Sequence, residues 1–139
     1  MIDSAKFKKF EKDERSSFSY WFNHWKAFNA VAKELGVWKL KYLFHDIEKP
    51  WLKLFMRDYK KVQKWHREHS AHHLEYKEAK TRGYDYEAMV IDWECSRYTK
   101  VASPRTALEE INYKFSNSKL TVAQYFNLIR TAQKIGLRK

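Results

Sequence analysis

The chain has 139 residues, 44% apolar, 32% charged and 17% aromatic, a composition that fits one packed domain and excludes both a second sizeable domain and a solvated tail. Lys and Arg number 28 against 17 Asp and Glu, so the formal charge of +11 favours anionic partners. The longest charge-free stretches, Ser16 to Trp25 and Leu120 to Ile129, fall well short of the roughly 20 residues of a membrane-spanning helix, and no apolar run follows the lysines of Met1 to Phe10; a cytoplasmic protein with no membrane partner is expected.

Three Gly and two Pro leave little turn chemistry for many strands, and they punctuate the chain where helices should end or begin. From Ser17 to Leu35 the residues Phe18, Trp21, Phe22, Trp25, Phe28, Ala32 and Leu35 recur at steps of three and four, which predicts a helix ending at Gly36. Val37, Leu40, Phe44 and Ile47 repeat the pattern and predict a second helix that stops before Pro50. A short helix over Trp51 to Arg57 follows, then a long one from Asp58 to Lys80 and a loop through Gly83. Asp85 is placed to cap the next helix, to about Lys100, with Tyr86, Met89, Val90 and Trp93 as its inward stripe. Cys95 falls on this helix; a single cysteine makes no internal disulfide and reads as a small buried side chain. Pro104, behind Ser103, opens a helix to about Tyr113, and Thr121 with Gln124 has capping-box spacing for a last helix to Lys134 or Ile135. The fold class is all-α, a single domain over 1–139 with six or seven helices.

Charge is uneven: residues 96–139 carry nine basic and two acidic side chains. A solvated lysine-rich face explains this, and so does attraction of a phosphate-bearing ligand or nucleic acid.

All six histidines lie between His24 and His73. On the Asp58 to Lys80 helix, Tyr59, Val62, His66, His69, His73 and Tyr76 form one stripe that begins apolar and becomes imidazole. Buried, each ring needs a partner, because an unpaired polar group costs roughly 1 to 3 kcal/mol; a metal or several carboxylates would serve. Open to water, the same histidines need none. The doublet His45-Asp46 is the second feature. Neighbours on a helix point about 100° apart, so both reach one ion only in the angle between them, and further ligands must come from other helices. His24 and Asp92, each mid-helix beside an apolar stripe, are placed to converge with them.

His24, then His45-Asp46, then the histidines of 66–73, then Asp92, each on successive helices, resembles the HD-domain metal-dependent phosphohydrolase superfamily over roughly Phe18 to Lys100. The resemblance implies that His24, His45, Asp46 and Asp92 hold a divalent metal, and Lys49 matches a frequent His-Asp-x-x-Lys pattern. The runs His45-Asp46-Ile-Glu-Lys49, Trp65-His66, His72-His73-x-Glu75-Tyr76 and Glu87-Ala-Met-Val-Ile-Asp92-Trp93 are similar to a small uncharacterised HD-like family of bacteria and their phages. Some HD proteins hold two metals, which would assign His66, His69 and His73 to a second ion.

The activity so implied is hydrolysis of a phosphorylated small molecule, most simply a nucleotide, by a metal-activated water. Mixed imidazole and carboxylate ligands point to Mn²⁺ or Fe²⁺ first, with Zn²⁺, Co²⁺, Ni²⁺ or Mg²⁺ as alternatives. Asp46 and Lys49 are the expected catalytic residues, and Glu48, Glu75 or Glu87 would orient the water or a ligand histidine. No glycine-rich phosphate loop, GxSxG, CxxC or HExxH is present. Three rivals remain at this level: a degenerate module that binds nucleotide or nucleic acid through the basic C-terminal third, a protein-docking factor in which metal only holds the fold, and, most remote, the paired-iron oxygen chemistry of some HD-like proteins.

Overall fold

The computed structural model describes residues 7, 18–99 and 105–137, and among them it is all-α, with no strand. Helix α1 (Phe18–Glu34) is followed by a 3-10 turn (Leu40–Phe44), then α2 (Glu48–Met56), α3 (Tyr59–His69), the single turn α4 (Ala79–Arg82), α5 (Tyr86–Thr99), α6 (Ala107–Ser116) and α7 (Val122–Lys134). Helix α5 is the central element: it packs on α1 from one side and on α6 and α7 from the other. Its burial runs nearly all round, from Ala88 through Asp92 and again from Glu94 to Ser96, while Tyr86 and Trp93 of the expected stripe are only half-buried. With neighbours on both sides, α5 needs no polar face, which is why its sequence shows only a weak stripe.

Local signals set several boundaries. Leu35 to Val37 closes α1 through Gly36, whose φ of +72° suits a residue without a Cβ. Asp85 accepts a hydrogen bond from the Ala88 N–H, as a cap of α5 should. Thr121 and Gln124 form the reciprocal capping box of α7, and α7 ends at Lys134. Helix α6 begins later than expected, behind a capping box of Thr106 and Glu109. Buried Glu94 of α5 also accepts from the Ala107 N–H at 2.8 Å, tying the start of α6 to the central helix. Ser103, Pro104 and Lys100, the boundary residues read from the sequence, lie outside the described residues.

Two expected helices are corrected. Val37 to Ile47 is not an α-helix: Val37 to Lys39 is irregular, the 3-10 turn spans Leu40–Phe44, and Leu40, Phe44 and Ile47 are exposed. The cause lies in α1, whose side chains take the carbonyls an α-helix would use. Asn29 donates to the Tyr42 carbonyl (3.1 Å), Trp25 to Leu43 (2.9 Å) and Trp21 to Asp46 (2.8 Å). The face turned inward is Tyr42, His45 and Asp46. Pro50 does not end this segment but sits in the first turn of α2, where its missing N–H is not needed. The long helix from Asp58 to Lys80 is likewise broken, because Ser70 is extended after His69 and turns fill the chain as far as α4. Lys77 donates to the Glu68 carbonyl and Asp85 to that of Ala71, pinning the turn segment to α3 and to the start of α5.

Candidate metal centre

Four elements meet at one buried cluster. Helix α1 brings His24 and α5 brings Asp92, whose Oδ1 accepts from His24 Nε2 at 2.8 Å. His45 closes the 3-10 turn and places its Nε2 3.3 Å from both His24 Nε2 and Asp92 Oδ1. Its ring also stacks on Phe28 of the core, with centroids 3.7 Å apart. Asp46 has φ of +55°, the left-handed region that Asp tolerates better than most residues. Leaving the helical path there turns adjacent His45 and Asp46 into the same cluster. His24, His45, Asp46 and Asp92 are all at most 6% exposed, and a potential ligand atom from each lies within 4.8 Å of the others.

Asp46 is shared by both sides of the cluster. Its Oδ2 lies 3.0 Å from Lys49 Nζ, 3.5 Å from His45 Nε2 and 3.7 Å from His24 Nε2. Its Oδ1 lies 2.9 Å from His66 Nε2 and 3.1 Å from His72 Nε2. Close as they are, Asp46 Oδ1, His66 Nε2 and His72 Nε2 are not aligned as hydrogen bonds, and neither they nor His73 Nε2 has such a partner among the described residues. Buried polar atoms left in that state are costly. Donor atoms converging on one another from several elements are what a cation would satisfy, so the residues fit a bound metal ion. His66 is further held by a hydrogen bond between its Nδ1 and the Glu48 carboxylate, and Ser70 Oγ lies 3.2 Å from the same nitrogen.

The electrostatics follow from burial set against charge. Burial would push the Asp46 carboxyl up, but His45, Lys49 and His66 outweigh it and hold the group well below the usual range. Asp92 is likewise held low, by His24 and His45, against its burial. For His66, burial disfavours the cation, yet the Asp46 and Glu48 carboxylates push it up to about 9. Burial dominates at His45 and His73, pushing them down to about 4 and about 2. Burial of most of the Lys49 side chain works against its charge, but the Asp46 and Asp92 carboxylates raise it above the ordinary lysine value, so it stays a cation.

The structure sorts the sequence candidates. His24, His45, Asp46 and Asp92 come together, with Lys49 and Glu48 beside them. His66 and His73 also join, and their ligand atoms lie within 4.8 Å of one from His72, a residue the helical stripe had left off. His69 does not join: it is exposed, stacked on Trp65, and donates from Nδ1 to the Trp65 carbonyl at 2.8 Å. The break at Ser70 explains both, since a stripe continued past the end of a helix assigns the wrong faces. Glu87 is also engaged elsewhere, accepting from the Tyr42 hydroxyl and pairing with Lys39 Nζ at 3.0 Å. Glu75 is exposed at the rim of a neighbouring cavity. A second cavity, of about 230 Å³, is lined by Asp46, His45 and His72 together with Ser70 and Asp85.

Compared with known proteins, the chain matches no family model, no curated protein and no solved structure. What the fold and site define is an all-α chain whose buried His/Asp cluster can hold a metal ion.

Proposed function

We propose that this protein is a metal-dependent phosphohydrolase acting on a phosphorylated small molecule, with a nucleotide as the first substrate to try. The observation that carries the reading is the carboxylate of Asp46, shared between two groups of histidines and flanked by the Lys49 cation. His24, His45, Asp46 and Asp92 would hold one divalent ion, and His66 with His72 or His73 offers donors for another. The mixture of imidazole nitrogen and carboxylate oxygen suits Mn²⁺ or Fe²⁺ first. An ion bound there supplies a water acidified toward neutral pH and a Lewis acid for a phosphoryl oxygen.

The chain's own residues do the rest. Lys49, 14% exposed and held as a cation, offers positive charge to the phosphoryl oxygens as negative charge develops on them. Glu48 acts as a positioning residue: by binding His66 Nδ1 it leaves Nε2 directed at Asp46. The proposed reaction is direct displacement by water, and it assigns no nucleophile to the protein. The test is product release from a panel of nucleoside mono-, di- and triphosphates and cyclic dinucleotides with Mn²⁺, run beside Asp46→Ala with bound metal quantified. Turnover that disappears in the variant supports the reading; metal bound by the parent protein with no substrate turned over removes it.

A further inference from the structure

A cavity of about 320 Å³ adjoins the metal centre and has no part in the reaction as described so far. Asp92, His72 and His73, residues of the cluster itself, are part of its lining. Arg67 from α3 and Arg105 and Lys114 from the α6 region line the same cavity. Arg105 and Lys114 share one carboxylate, Glu110, at 3.4 and 3.5 Å, so two cations lie over one anion. Arg67 is exposed and makes no ion pair among the described residues. The remaining acid at this cavity outside the cluster, Glu75, is exposed. Neighbouring rings fix two of the cations: Arg105 lies 3.8 Å over Tyr113 and Lys114 lies 5.5 Å over Trp93. The volume is near the lower end for small-molecule pockets, about 300 to 1,000 Å³, which suits a compact anion better than a polymer.

We infer that this cavity selects substrates with two linked phosphoryl groups, one beside His72 and Asp92 and the second on Arg67, Arg105 and Lys114. A nucleoside diphosphate is then preferred over the monophosphate. The placement of the first group rests on the metal-dependent reading, whereas the preference itself rests on the cations. Charge-assisted bonds to phosphate oxygens are the strong kind, and each cation adds to the second group without touching the first. The same arrangement gives part of the basic C-terminal third a specific role, because Arg105 and Lys114 are two of its nine basic residues.

The experiment is calorimetric titration of the whole protein with adenosine diphosphate and adenosine monophosphate, with and without Mn²⁺, checking bound Mn²⁺ after each run. The diphosphate is expected to bind roughly tenfold more tightly in both conditions. The double variant Arg67→Ala/Lys114→Ala should erase that difference and keep the Mn²⁺ content, and both positions are accessible enough for the fold to be retained. Glu110→Gln should sharpen it by freeing Arg105 and Lys114. Equal binding of the two nucleotides, a preference that survives in the double variant, or a weaker preference in Glu110→Gln overturns the inference. Turnover measured on the same samples separates the two readings. A preference with no hydrolysis of any compound removes the hydrolase and leaves the cavity assignment, and hydrolysis without a preference does the reverse.

Discussion

The two halves of the candidate metal centre are held in place by different forces. His24 and Asp92 stand on α1 and α5, helices that pack on each other and bury Ala27, Phe28, Val31, Met89 and Ile91 completely. His45, Asp46 and His72 come from turns, and their neighbour α2 has no buried residue, with Trp51, Leu54 and Phe55 all exposed. The first half is positioned by core packing whether or not an ion is present. In the second half only His45 is stacked on the core, through Phe28, while His66 and His72 Nε2 face one carboxylate oxygen without hydrogen-bond alignment, so the arrangement around Asp46 depends on charge. A site built this way keeps one wall rigid and lets the other respond to what is bound.

The strongest way to break that contrast is at the residue joining the halves. Asp46→Ala should abolish tight metal binding and all turnover, because it removes the carboxylate shared by His45, Lys49, His66 and His72; full metal content in the purified variant would refute its role. Next comes the packing difference itself. Phe28→Ala should cost about 3 to 5 kcal/mol of stability and loosen His45, which stacks on that ring, whereas Phe55→Ala should stay within about 0.5 kcal/mol. Urea unfolding of both variants checks this, and equal losses would show that α2 is packed in solution.

Acid sharpens the comparison by way of the buried rings. His45 and His73 are held at about 4 and about 2 when folded, against 6.5 for an ordinary histidine. Below pH 6.5 the unfolded chain therefore takes up protons that the folded chain refuses. Stability should fall as pH drops from 6.5 to 4, by about 3 kcal/mol for His45 alone. His66 works in the opposite sense: held up at about 9, it contributes fully below pH 6.5 and the contribution is lost as pH rises through 9. The urea midpoint of chelator-treated protein should accordingly peak near pH 6.5, and a midpoint that climbs steadily from pH 4 to 9 would contradict this account. The smallest effect separates neighbouring histidines. His72→Ala should weaken metal binding by at least about tenfold, while His69→Ala leaves it unchanged, as read by metal titration.

Much of this was legible in the chain. The helices with local markers, α1 up to Gly36 and α7 behind Thr121 and Gln124, emerge where periodicity and caps place them. The start of α6 is encoded in the same way, by Thr106 and Glu109, although Pro104 upstream carries a helix-start signal of its own. In the site, His24, His45, Asp46 and Asp92 stand out by residue type, and the structure brings them together. His69 and His72 were exchanged because a helical stripe was continued through Ser70, a residue with no breaker chemistry strong enough to announce the stop. Glu87 looked suitable by type alone; its engagement with Tyr42 and Lys39 depends on a segment more than 40 residues away in the chain.

The sequence by itself therefore determined the helical class, the capped boundaries and the supply of metal-binding side chains, because periodicity, caps and residue type act within a few positions of the chain. Tertiary structure alone decided which histidines face Asp46, why Leu40 to Phe44 winds as a 3-10 turn, and that Arg67, Arg105 and Lys114 border one cavity. Each of those outcomes depends on what a distant side chain does to the backbone or the space beside it. Trp21, Trp25 and Asn29 taking the carbonyls of Asp46, Leu43 and Tyr42 is the clearest case, since bonds satisfied across the fold release the local chain from the helix its pattern suggests.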